Sequence, residues 1–149
     1  MPKELYSIES LIKHRRGMLL IDRLIDYDEN SVTVEVTITE SSTFCSNGSV
    51  PAWVGLEYAA QGVGTYAGVY EKKLGHPTKV GFLLGCRKYK SSLSVFPVGM
   101  TLHIHVTEEF RDENMGVYQC VLKNTENNIV ATTSISAYVP ERLEDVLER

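Results

Sequence analysis

Read for hydrophobic and polar periodicity, the chain centres on one stretch that has almost no polar side. From Val50 to Tyr70 nearly every residue is apolar or small, and a helix of that composition must be buried on most of its faces. Pro51 suits a first helical turn, where a missing N–H goes unused. Gly75 and Pro77 mark the stop. Gly55, Gly62, Gly64 and Gly68 lie inside this stretch. Each disfavours a helix by about 1 kcal/mol relative to Ala, so their presence implies close approach of a sheet around the helix.

Strands are predicted on both sides of it. Val32 to Ile38 alternates strictly, the mark of a strand with one buried face. Before it, Met18 to Ile21 reads as a short apolar strand that leads through Asp22-Arg23 into Leu24–Tyr27, and Asp28-Glu29-Asn30 as a turn. Phe44 to Ser49 is a tight loop feeding the helix. Val80 to Lys90 begins as a buried strand and becomes basic, and Pro97-Val98-Gly99 is a turn. Thr101–Phe110, Val117–Asn124 and Ile129–Tyr138 read as further strands joined by hairpin-like turns at 112–114 and 124–128. At the ends, Ser7–His14 reads as a short amphipathic helix with Ser7 and Ser10 placed to cap it, and Pro140–Arg149 as a charged tail. The order predicts one α+β domain over residues 1–149, with one long helix wrapped by a curved, mostly antiparallel sheet. Such a sheet leaves edges and a face to cover, and pairing with a second copy would cover both.

Composition narrows the partners. The hydrophobic fraction of 43% and charged fraction of 23% fit an ordinary globular protein. The net charge of −4 argues against general nucleic-acid binding. Cys45, Cys86 and Cys120 are odd in number and lack metal-ligand spacing, which fits reduced thiols in a cytoplasmic protein and no metal. No apolar run reaches membrane-spanning length, and no signal-peptide pattern is present.

The long helix carries the candidate chemistry. Glu57 stands in it with Gln61 one turn later on the same face. Buried there, a carboxylate needs hydrogen bonds and its pKa rises; at the helix edge it simply reaches water. Both readings stand on composition alone.

Three stretches resemble the hotdog-fold 3-hydroxyacyl-acyl-carrier-protein dehydratases, over roughly Leu11 to Tyr138. The segment His14-Arg15-Arg16-Gly17-Met18-Leu19-Leu20-Ile21-Asp22-Arg23 is similar to that family's N-terminal motif. Pro51 to Gln61, with Glu six residues after Pro and Gln four after Glu, is similar to its central-helix start. Gly81-Phe82-Leu83-Leu84-Gly85 and Phe96-Pro97-Val98-Gly99 resemble its substrate-lining strand and the turn that follows. The loop Phe44–Pro51 lacks the His that common bacterial members carry just before the helix. Pro51–Tyr58 and Gly81–Tyr89 resemble a divergent branch of dehydratases of aryl polyene and related polyketide pathways.

The resemblance implies a hotdog fold, dimeric, that dehydrates an acyl thioester borne on the phosphopantetheine arm of an acyl carrier protein, with no other cofactor. It casts Glu57 as catalytic carboxyl and Gln61 as its orienter. Backbone N–H groups of Ala52, Trp53 and Gly85 are candidate donors to the thioester carbonyl, with Leu84 beside them in the lining strand. His14 falls in the N-terminal motif, either as the general base or as a structural residue of the turn. Cys45 stands in the loop as a nucleophile or as a small buried thiol. Tyr58 and Tyr66 line the acyl tunnel or belong to the core or interface. His76 reads as a surface residue, and His103 and His105 share one strand face. Arg15, Arg16, Arg87, Lys88 and Lys90, with Lys13, form basic clusters suited to an acidic carrier protein or to a guarded sheet edge. A non-catalytic hotdog subunit of a heterodimer, completed by an active relative, and a hotdog acyl thioesterase are the alternative functions.

Overall fold

The computed structural model describes residues 5–12, 19–73, 82–112 and 115–138, with the backbone alone at 82–84. The elements run α1 (Ile8–Leu11), β1 (Arg23–Tyr27), β2 (Ser31–Thr37), β3 (Ser49–Pro51), α2 (Val54–Lys73), β4 (Phe82–Ser91), β5 (Val95–Pro97), β6 (Thr101–Asp112), β7 (Met115–Lys123) and β8 (Ile129–Tyr138). Six strands form one sheet in the order β1-β2-β6-β7-β8-β4, and β3 pairs with β5 in a small second sheet. Every pairing is antiparallel.

The alternation of β2 explains its place. Val32, Val34 and Val36 are buried, while Ser31, Thr33, Glu35 and Thr37 face outward. Leu102, Ile104 and Val106 of β6 continue the apolar face, and α2 lies across it. The glycines of α2 allow this approach. A Cβ on Gly62 would stand 2.9 Å from Val106 Cγ2, and one on Gly55 would meet the Tyr89 hydroxyl. Gly64 and Gly68 face the N-terminal segment instead, against Ile12 and Leu11.

Several expected boundaries differ. Pro51 ends β3, paired with Val95, so α2 begins at Val54 rather than at Pro51. A Pro on a sheet edge and a Pro in a first helical turn are equally allowed, and the long-range ladder with β5 decides. The first helix is a single turn whose Ser7 side chain makes no cap hydrogen bond; Ile12 already has extended backbone. Residues 19–22 are not a strand, and the first strand starts at Arg23. The start is fixed by two contacts: Asp22 Oδ2 accepts the Thr37 N–H at 2.8 Å, and Arg23 Nε donates to Glu35 Oε1 at 2.9 Å. The expected helix stop at Gly75 and Pro77, the surface His76 and the tail 140–149 lie outside the described residues.

Candidate active site

Four of the expected site residues, Ala52, Trp53, Glu57 and Gln61, lie at the N-terminal turn of α2. Glu57 is exposed on the side of the helix away from the sheet and makes no hydrogen bond or ion pair among the described residues. It is therefore an open-face carboxylate. The buried carboxylate of α2 is Glu71, 5% exposed and engaged with a partner. The less buried positions Leu56, Glu57, Ala60, Gly64, Ala67 and Tyr70 recur at three- and four-residue intervals and form one stripe. Trp53 lies one turn before Glu57 on the same side, 55% exposed, with its ring edge-to-face against Phe44 at 5.2 Å.

Gln61 does not orient Glu57 within the chain. It is buried, and its Oε1 accepts the Leu20 N–H at 2.8 Å, tying the N-terminal segment to the helix. Ala52 does not offer its N–H, which donates to the Ser94 carbonyl at 3.0 Å. Its own carbonyl accepts the Tyr89 hydroxyl and the Gly55 N–H. The Trp53 N–H has no backbone carbonyl partner among the described residues and stands at the positive end of α2. Tyr89, placed by the sequence in a basic run, thus reaches the same turn. It reaches the helix only because Gly55 has no side chain.

Gly85 is exposed on the edge strand β4, opposite Ser136, and Leu84 is the extra residue of a bulge between Leu83 and Gly85. Arg87 and Lys90 pair with Ser134 and Thr132, whose alternation puts them on the outer face of the sheet, away from α2. In one chain these cations and Glu57 are thus on opposite sides of the sheet. His14, Arg15 and Arg16, with Lys13, lie outside the described residues.

A cleft of about 350 Å³ flanks the same helical turn, between Leu20, Asp22, Thr37, Ser42 and Tyr58. Partial burial raises the Asp22 carboxyl above its ordinary value, against the opposing pull of the Thr37 N–H. Burial pushes the Tyr58 phenol up to about 12, helped by the charge of Asp22. Tyr58 and Tyr66 are both core residues, packed against Phe96 and Tyr118. Cys45 is partly buried in its loop; Cys120 is buried, which pushes its thiol up to about 12. His103 Nε2 meets Glu35 Oε2 at 2.8 Å and His105 Nδ1 meets the Thr33 hydroxyl at 2.8 Å, both on the outer sheet face. Among the described residues no group of acids, histidines and cysteines is arranged to hold a metal, and no helix is long and apolar enough to cross a membrane.

Over residues 6–148 the chain matches the ApeP-like family, described as ApeP dehydratase. Among solved structures it is similar to the dehydratase heterocomplex ApeI:P from Xenorhabdus doucetiae, with a TM-score of 0.87 at 22% identity, covering 96% of this chain and 97% of that one. It is also similar to the Escherichia coli PaaI protein from the phenylacetic acid degradation operon, with a TM-score of 0.61 at 17% identity, covering 77% and 80%. A third likeness is a hypothetical thioesterase with coenzyme A from Streptococcus pneumoniae, with a TM-score of 0.62 at 15% identity, covering 78% and 86%. No match was found among curated proteins. The long helix on a curved antiparallel sheet is the hotdog fold of these neighbours, and the chain belongs to the ApeP-like dehydratase family.

Proposed function

We propose that the chain works as one hotdog subunit of a dehydratase that converts a 3-hydroxyacyl thioester on an acyl carrier protein to its 2-enoyl thioester, in aryl polyene-type synthesis. The observation that carries this is the family match, which spans nearly the whole chain and includes the turn that presents Glu57. Dehydration removes a proton at C2, expels the C3 hydroxyl as water and develops charge on the thioester oxygen. Glu57 is the carboxyl that holds and protonates the leaving hydroxyl. The Trp53 N–H, at the helix N-terminus, is a donor placed for the thioester oxygen. His14 is the proposed base for the C2 proton, a role its neutral imidazole suits near pH 7.

The exposure of Glu57 and its lack of partners fit a site completed by a second subunit. Such a subunit would cover the stripe Leu56–Ala60–Gly64–Ala67 and turn a solvated carboxylate into an enclosed one. A homodimer or a heterodimer with another hotdog subunit would do so. The heterodimer has specific support: the similar structure from Xenorhabdus is a heterocomplex, and the loop 44–49 of this chain carries no His. In that second reading this chain is an auxiliary subunit and its partner supplies the base.

The test is turnover of a 3-hydroxyacyl carrier substrate, followed by the loss of one water in the mass spectrum. It is run with the chain alone, with a hotdog partner, and with His14→Ala in each. Turnover that falls at least about a hundredfold in His14→Ala supports the catalytic reading. Turnover found only with the partner, and unchanged in His14→Ala, makes this chain auxiliary. Release of the free acid in place of the enoyl thioester would overturn dehydration altogether.

A further inference from the structure

A cleft lies away from Glu57, across the outer face of the sheet. It is an open trough of about 810 Å³ whose lining includes Arg87, Lys88, Lys90, Thr132 and Ser134, with Glu109 on β6. Arg87 stands opposite Ser134 and Lys90 opposite Thr132 in the β4–β8 ladder. Directly opposed residues share a face, so two cations and two hydroxyls form a compact square.

A bulge creates that square. Residues three apart on a regular strand point to opposite faces. Between Arg87 and Lys90 the register shifts by one residue, and Lys88 takes the left-handed region at φ 51°. The extra residue brings Lys90 back to the face of Arg87. The bulge is held by Thr133, whose Oγ1 donates to the Arg87 carbonyl at 3.0 Å.

The groups so assembled are unused. The other two described arginines are engaged: Arg23 with Glu35, and Arg111 with Glu108 and the Tyr70 ring. Arg87, Lys88 and Lys90 have no acidic or hydrogen-bonding partner for their side chains among the described residues, nor do the hydroxyls of Thr132 and Ser134. Three cations line the trough against one carboxylate, Glu109 on β6, which accepts the Gln119 Nε2–H, and the excess of positive charge on the β4–β8 side calls for an anion. A guanidinium fork, an ammonium and two hydroxyls surround the space with more donors than a planar carboxylate can accept. A tetrahedral dianion accepts them all.

From this geometry we infer that the outer face of the β4–β8 edge, at Arg87, Lys90, Thr132 and Ser134, is a binding site for the phosphate group of a ligand. The site stands apart from the Glu57 turn, on the other side of the sheet, and does not depend on the dehydratase reading. Only the identification of the ligand with a carrier-borne phosphopantetheine arm rests on that reading. Side chains stand perpendicular to a sheet, so pairing of the β4 edge with a second subunit would leave the square open.

The experiment is a titration of the ¹⁵N-labelled full chain at fixed ionic strength with inorganic phosphate, free 4′-phosphopantetheine and, as a planar control, acetate. The inference expects saturable shifts of the Arg87, Lys90, Thr132 and Ser134 amides with phosphate and not with acetate. Arg87→Ala/Lys90→Ala should weaken binding by at least about tenfold. Thr132→Val/Ser134→Ala, which leaves the charge in place, should weaken it by about threefold or more. All four positions are surface-facing, so both variants should keep the wild-type spectrum elsewhere. Phosphopantetheine binding tighter than inorganic phosphate assigns the arm as the source; equal binding assigns free phosphate esters. Shifts that fail to saturate, appear equally with acetate, or ignore the loss of the hydroxyls would overturn the site. Saturable binding in a protein that dehydrates nothing with its partner would leave the site standing and remove the dehydratase reading.

Discussion

Replacing Gly68 by Ala is expected to unseat the N-terminal segment. A Cβ there would collide with the Leu11 carbonyl oxygen and lie 2.9 Å from its carbonyl carbon and Cα. These are backbone atoms with no rotamer to escape into, so residues 5–12 must move as a unit. Ile8, Leu11 and Ile12 move with them, and all three are at least 95% buried. Full exposure of three such side chains would cost about 4–9 kcal/mol. Displacement short of full release loses part of that, and the helix regains about 1 kcal/mol from Ala over Gly. The expected net destabilisation is about 2–4 kcal/mol. Gly64 is the internal control. Its added Cβ would lie 3.3 Å from Ile12 Cγ2, a methyl that can turn aside, so Gly64→Ala should stay within about 1 kcal/mol of wild type. Urea unfolding followed by far-ultraviolet circular dichroism measures both, with equal slopes confirming a common denatured state. Gly68→Ala as stable as Gly64→Ala would refute this seating of the segment on α2.

Two further outcomes follow. The Glu35 carboxyl is held below its ordinary value by the hydrogen bond from Arg23 and then by that from His103, while burial holds His105 below its ordinary value. A depressed carboxyl contributes stability that is complete above the unfolded value of 4.5 and lost as pH falls through the folded one; a depressed His likewise favours the fold above 6.5 and less below it. Glu35 and His105 should therefore lower thermal stability on acidification, against the opposite contribution of Asp22, whose raised carboxyl favours the fold at lower pH, and Glu35→Gln should lower stability by about 1 kcal/mol at pH 7 and by less at pH 3, read from melts at both. Gln61→Leu removes the acceptor of the Leu20 N–H and should destabilise by about 1–3 kcal/mol while lowering turnover, because the segment that carries His14 loses its tie to α2.

Much of the fold was legible because periodicity is a local property. The alternation of β2, β6, β7 and β8 and the apolar run of α2 were readable to within a few residues, since each element writes its burial into its own sequence. The pair β3–β5 was not, because strands of three residues carry too little pattern and their pairing is long-range. Glu57 shows a different limit. A helix that is apolar nearly all round does not say which of its faces lies against its own sheet and which is left open. Gln61 was legible as a polar residue in the wrong place, but its partner, the Leu20 N–H forty-one residues away, was not. The resemblance to the dehydratases pointed to the first turn of the long helix. It could not show that the Ala52 N–H is already taken by Ser94, or that a bulge brings Lys90 to the side of Arg87 on the far face of the sheet.

The central claim is that Glu57 is the carboxyl of a dehydration site. Glu57→Gln removes the acid while keeping size and exposure, and it breaks no hydrogen bond or ion pair among the described residues, so its melting temperature should match wild type. Turnover of a 3-hydroxyacyl carrier substrate by the purified variant, assayed together with a hotdog partner, should fall by at least about a hundredfold. Full turnover with Gln at position 57, in the same complex and at the same protein concentration, would contradict the account.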